Sequence, residues 1–152
     1  MKKIQVRRIL SEQNKYMYSY SGHDIDYENN IVTIQDDYYL FYFHLPEYYP
    51  FKPPKLKINN KEYISKFINF YCYLKPFIGK YLQLTYNCAC CNTILCKWSP
   101  GNTLNDIINE FKSYEIEKNN IRNLYIFYRG KHIDNNGKFC DLVIKNICDY
   151  CI

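Results

Sequence analysis

No apolar run in the chain approaches the ~20 residues that a membrane-spanning helix needs, so no membrane partner is expected. Repeats and low-complexity linkers are also missing. The 152 residues are therefore expected to form a single domain, 1–152. A dense basic stripe is absent too. The net charge of +5 comes from 20 basic and 15 acidic residues that are spread out, apart from Lys2, Lys3, Arg7 and Arg8. Nucleic-acid binders cluster their cations, so no nucleic-acid partner is expected. The basic, partly apolar start has the look of a transit peptide, but Glu12 ends that pattern early and an amphipathic first helix explains it better. With no signal peptide recognised, the expected compartment is cytoplasm or nucleus, where thiols stay reduced.

What the chain does have is aromatic surface and sulfur. Its hydrophobic share of 47% is enough to build a core. The 18 tyrosines outnumber nine Phe and one Trp, and some of their rings are expected at the surface with hydroxyls hydrated. The abundance of Tyr, Asn, Ile and Lys fits an AT-rich coding genome, such as that of a large DNA virus or some protists, and in the viral case the compartment is the host cell's. Eight cysteines without a secretory context point to free thiols, metal ligands or a catalytic thiol. Cys88-x-x-Cys91 and Cys148-x-x-Cys151 have the form of two halves of a structural zinc site, though far apart in sequence. A plainer account puts Cys140, Ile144, Ile147, Cys148 and Cys151 on one apolar helix face, since buried cysteine behaves as a small apolar residue.

The patterning predicts a helix over 3–17, with Val6, Ile9, Leu10 and 13–17 near helical spacing on one side. Ser21-Gly22 breaks it. Strands are expected over 31–35 and 38–45 with a tight turn at Asp36-Asp37, and another over 55–58. Four prolines within 46–54 exclude helix and read as an extended, stiff surface segment. Residues 62–70 read as a short helix and Gly79 as a turn. Thr103 with Asp106 has the form of a capping box, and Leu104, Ile107, Ile108 and Phe111 follow at the spacing of one buried helix face. Asn119-Asn120 and 134–137 read as turns, and a last helix is expected from near Lys138. The class is α+β: an N-terminal helix, a small antiparallel β-meander, then C-terminal helices on one face of the sheet.

Two stretches resemble ubiquitin-conjugating (E2, or UBC) domains. Leu45-Pro46-Glu47-Tyr48-Tyr49-Pro50-Phe51-Lys52-Pro53-Pro54 with Lys55-Leu56-Lys57-Ile58 is similar to the family's strand, Tyr-Pro-Phe-Lys-Pro-Pro, strand segment. Trp98-Ser99-Pro100, continuing through Thr103 and Leu104 to Ile108, resembles the family's Trp-Ser-Pro and the helix behind its active site. The resemblance covers about 38–58 and 88–111 and implies a UBC-like fold.

In that family the nucleophilic cysteine shortly precedes the tryptophan. Placing it at Cys91 puts Ile94 and Leu95 at the family's two apolar positions; placing it at the runner-up, Cys90, keeps the spacing to Trp98 but puts Thr93 at the first of them. The resemblance thus implies an E2-type enzyme that carries ubiquitin as a cysteine thioester and transfers it to lysine. Its partners would be ubiquitin or a ubiquitin-like modifier, an E1 enzyme and a RING- or HECT-type E3 ligase, with no cofactor. The chain is expected to act as a monomer. The family's His-Pro-Asn triplet is missing, and by position Asn87 or Asn92 is the candidate oxyanion donor. By resemblance Phe51, Lys52, Ser99 and Pro100 would form two E3-contacting loops flanked by Arg7 and Arg8. Trp98 reads as structural, as do the scattered His23, His44 and His132. The alternative is a catalytically inactive UBC-fold ubiquitin-binding or scaffold protein, with or without zinc.

Overall fold

The computed structural model describes residues 1–63 and 93–134. The chain divides into two compact units, Met1–Glu110 and Phe111–Ile152. The first begins with helix α1 (Lys3–Lys15) and a short 3-10 turn (Met17–Ser19). A five-stranded sheet follows: β1 (Gly22–Asp26), β2 (Ile31–Asp36), β3 (Tyr39–His44), β4 (Lys55–Ile58) and β5 (Lys61–Glu62). The strands are hydrogen-bonded in sequence order, each antiparallel to the next. Helix α2 (Leu104–Asp134) starts in the first unit and continues into the second. The architecture is α+β.

Alternation along the strands sorts the sheet into two faces. Val32, Ile34, Phe41, Phe43, Leu56 and Ile58 are buried, while the intervening Gln35, Leu40, Tyr42, His44, Lys55 and Lys57 are exposed. Register keeps the apolar set together, because Val32 pairs with Phe43 and Phe43 with Leu56. Ile9 and Met17 from the first helical region, Leu45, and Leu104, Ile107 and Ile108 from α2 are also buried. Each such side chain contributes ~1.5–3 kcal/mol of hydrophobic stabilisation.

Several details depart from the sequence reading. The polar strand β1 went unforeseen: Gly22-His23-Asp24-Ile25-Asp26 has little β propensity and owes its conformation to pairing with β2. The β2–β3 turn falls at Asp37-Tyr38, with Asp36 still paired to Tyr39. Glu62 belongs to strand β5, not to a helix. The buried residues of α1 are Gln5, Ile9 and Glu12, whereas Leu10 is exposed, so the inner face of α1 is largely polar. Residues 46–52 are not extended but coil through turns, with Tyr49 N bonded to Pro46 O at 2.9 Å and Phe51 N to Tyr48 O at 2.7 Å. Proline's fixed φ suits a turn as readily as an extended chain. The Tyr49–Pro50 peptide bond is cis.

The capping box at the start of α2 forms as expected. Thr103 N donates to Asp106 Oδ2 at 2.8 Å, and Asp106 N donates to Thr103 Oγ1 at 3.1 Å. Asn119-Asn120, expected as a turn, lies inside the helix. Asparagine disfavours a helix only mildly, and good helix formers flank this pair, including Glu115 and Lys118 in an ion pair of 2.9 Å. In the second unit Phe111 and Tyr114 are buried. The expected elements at 64–70, Gly79 and from 135 onward lie outside the described residues. Among the described residues no helix is long and apolar enough to cross a membrane.

Candidate functional site

Two loops of the first unit meet. One is the proline loop between β3 and β4; the other leads from Thr93 into α2. Trp98 donates its indole N–H to Pro50 O at 2.7 Å, and its ring lies 6.0 Å from that of Tyr49. Tyr49 and Pro50 are buried and Trp98 is half-buried, so the bond is largely shielded from water. The next residue outward on each loop is exposed: Phe51 at 63% on one side, Ser99 with Pro100 on the other. Lys52 is also exposed, and its ammonium lies 5.3 Å from the centre of the Tyr48 ring, as does that of Lys2. Lys2 also pairs with Glu47 at 2.5 Å, which holds the Glu47 carboxyl below its ordinary value.

The second loop is shaped by local bonds. Ser99 N and Oγ both donate to Asn102 Oδ1, at 2.8 and 3.0 Å, and Asn102 N returns to Ser99 O at 3.0 Å. Upstream, Cys96 N and Lys97 N donate to Thr93 O at 3.0 and 3.1 Å. Ile94 N donates to Glu110 Oε1 at 2.8 Å, and Tyr63 OH donates to the other oxygen of the same carboxylate. Burial, ahead of the bond to Glu110, raises the Tyr63 hydroxyl well above its ordinary value.

Beneath both loops sits Glu12, 3% exposed on the inner face of α1. Its Oε1 accepts from Arg8 Nε at 2.6 Å and from Tyr49 OH at 2.8 Å. Its Oε2 accepts from Leu104 N at 2.9 Å, where the helix N-terminus favours negative charge. Arg8 donates onward to Asn102 O at 2.8 Å and Gly101 O at 3.5 Å. Burial opposes the Arg8 charge, but the hydrogen bond and attraction from Glu12 win and raise its affinity for the proton. Desolvation, reinforced by the Glu12 charge, likewise keeps the Tyr49 hydroxyl protonated.

The residues expected to meet an E3 partner separate accordingly. Phe51, Lys52, Ser99, Pro100 and Arg7 are exposed, whereas Arg8 is turned to Glu12 and the loop carbonyls. The thiol candidates Cys91 and Cys90, the oxyanion candidates Asn87 and Asn92, and the zinc candidates Cys88, Cys148 and Cys151 lie outside the described residues. Among the described residues, no group of three or more His, Cys, Asp or Glu side chains is placed to hold a metal ion. Thr93 is 2% exposed while Ile94 and Leu95 are half-buried. A polar residue thus occupies the buried position, and polarity alone does not separate Cys91 from Cys90.

Sequence reasoning missed Gln5, Glu12 and Asn102, three polar side chains that tie the loops down. Gln5 is 1% exposed; it accepts from Lys2 N at 2.6 Å and donates to Pro46 O at 2.7 Å. A signal was available for one of them, because Asn102 follows Ser99 by three residues, the spacing at which a side chain reaches back to a backbone N–H as in a capping box. Comparison with protein-family models, curated proteins and solved structures returns no match to this chain.

Proposed function

We propose that the chain is an E2-type ubiquitin-conjugating enzyme with a UBC-like fold, and that Cys91 is its thioester-forming nucleophile, with Cys90 the alternative. The observation that carries this reading is the bond from Trp98 to Pro50. It brings together the two segments on which the resemblance rests, which are 48 residues apart in sequence. The element order supports it as well: a helix, an antiparallel meander with the proline loop between its third and fourth strands, then the tryptophan-led helix.

The chemistry is two acyl transfers. The cysteine thiolate attacks the carbonyl of the thioester joining ubiquitin to E1, and the E1 thiolate leaves. A lysine amine then attacks the new thioester, an isopeptide bond forms, the cysteine thiolate leaves, and the amine gives up a proton to solvent. Sulfur suits both steps as nucleophile and leaving group. A thiol titrates near ~8.5, so a fraction is ionised at neutral pH without a neighbouring base. RING- or HECT-type E3 ligases would dock on Phe51, Lys52, Ser99 and Pro100, which stand exposed on the joined loops.

The absence of His-Pro-Asn favours a second reading, a UBC-fold adaptor that binds ubiquitin or a partner without forming the thioester. An oxyanion donor contributes ~3 kcal/mol to such a transition state, so its loss bears directly on rate. Incubation with E1, ATP and ubiquitin, followed by a non-reducing gel, decides between them. The enzyme gives a thiol-sensitive adduct that survives Cys90→Ser and disappears in Cys91→Ser. An adduct lost only in Cys90→Ser moves the nucleophile by one residue, and no adduct with any functional E1 leaves the adaptor.

A further inference from the structure

We propose that Glu12 is a positioning residue for partner recognition, its one carboxylate setting the spacing between the loop that carries Phe51 and the loop that carries Ser99 and Pro100. This rests on the reading above for the nature of the partner, an E3-type domain. The geometry itself does not depend on it.

Glu12 receives three donors from three parts of the first unit: Arg8 on its own helix, Tyr49 in the proline loop and Leu104 at the start of α2. Tyr49 lies two residues before Phe51, and Leu104 four residues after Pro100. Arg8 extends the connection, because Asn102 O accepts from it while the Asn102 side chain holds the N–H and hydroxyl of Ser99. Both exposed loops are therefore referenced to a single buried group, which contributes nothing to the surface itself. Docking surfaces work by shape complementarity at interior-like packing, so a displacement of one loop against the other is read directly as lost affinity.

Glu12→Gln keeps the size of the side chain but replaces one acceptor oxygen with a donor. That NH2 must face Leu104 N–H or the pair of Arg8 and Tyr49, and each is itself a donor. One connection is lost and the Arg8 charge loses its partner.

Titration of uncharged Glu12→Gln against a panel of purified RING- and HECT-type E3 domains reads the effect without adduct chemistry. The expected result is affinity lower by about tenfold, equivalent to ~1.4 kcal/mol. Two controls separate positioning from general weakening. Val32→Ala, a core truncation on β2, should bind the same domain as wild type does. In a double-mutant cycle, Glu12→Gln and Phe51→Ala should be non-additive, because the first acts through the loop that carries the second. Wild-type affinity in Glu12→Gln, additivity in the cycle, or an equal loss in Val32→Ala overturns the proposal. A wild-type chain that binds an E3 domain but forms no adduct sinks the catalytic reading and leaves this one standing. A wild-type chain that forms the adduct but binds none of the domains overturns this proposal and leaves the catalytic reading standing.

Discussion

The indole N–H of Trp98 points at the carbonyl of Pro50, 2.7 Å away and largely shielded from water. Trp98→Phe keeps most of the ring that packs on Tyr49 but leaves this carbonyl without its donor. The expected loss is ~1–2 kcal/mol, read by urea denaturation followed by far-UV circular dichroism. No loss would mean that the two loops are held together by other contacts.

Removing Glu12 altogether should be far worse than replacing it with glutamine. Glu12→Ala leaves the Tyr49 hydroxyl and the Leu104 N–H without an acceptor in a buried site and takes the counter-charge from half-buried Arg8. Arg8 stays partly hydrated and keeps its bonds to the loop carbonyls, so the main cost is the two donors left without an acceptor, and equilibrium unfolding should show a loss of ~2–3 kcal/mol.

Thr103→Ala deletes the acceptor for Asp106 N and leaves the first turn of α2 half capped. A loss of ~1 kcal/mol is expected, measured by chemical denaturation at neutral pH.

Alkaline pH should weaken the fold through its buried tyrosines. Burial raises Tyr20 from its ordinary 10.0 to about 12, with the Asp36 charge a lesser cause. Tyr49 and Tyr63 move in the same direction. Below about pH 10 a tyrosine is neutral in both the folded and the unfolded chain, and no stability is lost there. Above it the unfolded chain releases protons that the folded chain still holds, so stability falls as pH climbs towards 12. Denaturation midpoints between pH 9 and 11 check this, and Tyr49→Phe should make the decline shallower. A midpoint that stays flat over that range contradicts the buried placement of these rings.

Phe51→Ala should leave stability within about 0.5 kcal/mol of wild type, as exposed substitutions do. If docking runs through this loop, the same change should abolish E3-dependent transfer while adduct formation persists.

The α+β class, strands β2 to β4 and the opening of α2 were legible because each carries a local signal: β-branched and aromatic residues bounded by turns, or a capping box ahead of Leu104, Ile107 and Ile108. Strand β1 was not, since His23 and Asp24 pair only because β2 is there to receive them. The same holds for the site. Its exposed members were marked by the proline and tryptophan motifs, but Glu12 and Gln5 looked like ordinary polar helix residues. Their burial depends on a tyrosine, a proline carbonyl and a helix end that come from distant parts of the chain.

Asn59 and Asn60 join β4 to β5 with φ of 47° and 63°, in the two-residue left-handed turn that asparagine tolerates. Asn59 also reaches back to β3: its Oδ1 accepts from Leu40 N at 2.8 Å, and its own N–H donates to Leu40 O at 3.0 Å. The proline loop joins the opposite ends of β3 and β4, and a connection of that length cannot by itself dictate how two strands align. Asn59 does so from the far end, like the stop on a zip fastener. A one-residue slip would turn Leu56 and Ile58 to water and drive Lys55 and Lys57 inside. With alignment anchored there, the loop tip around Phe51 can change its sequence while the strands beneath keep their places.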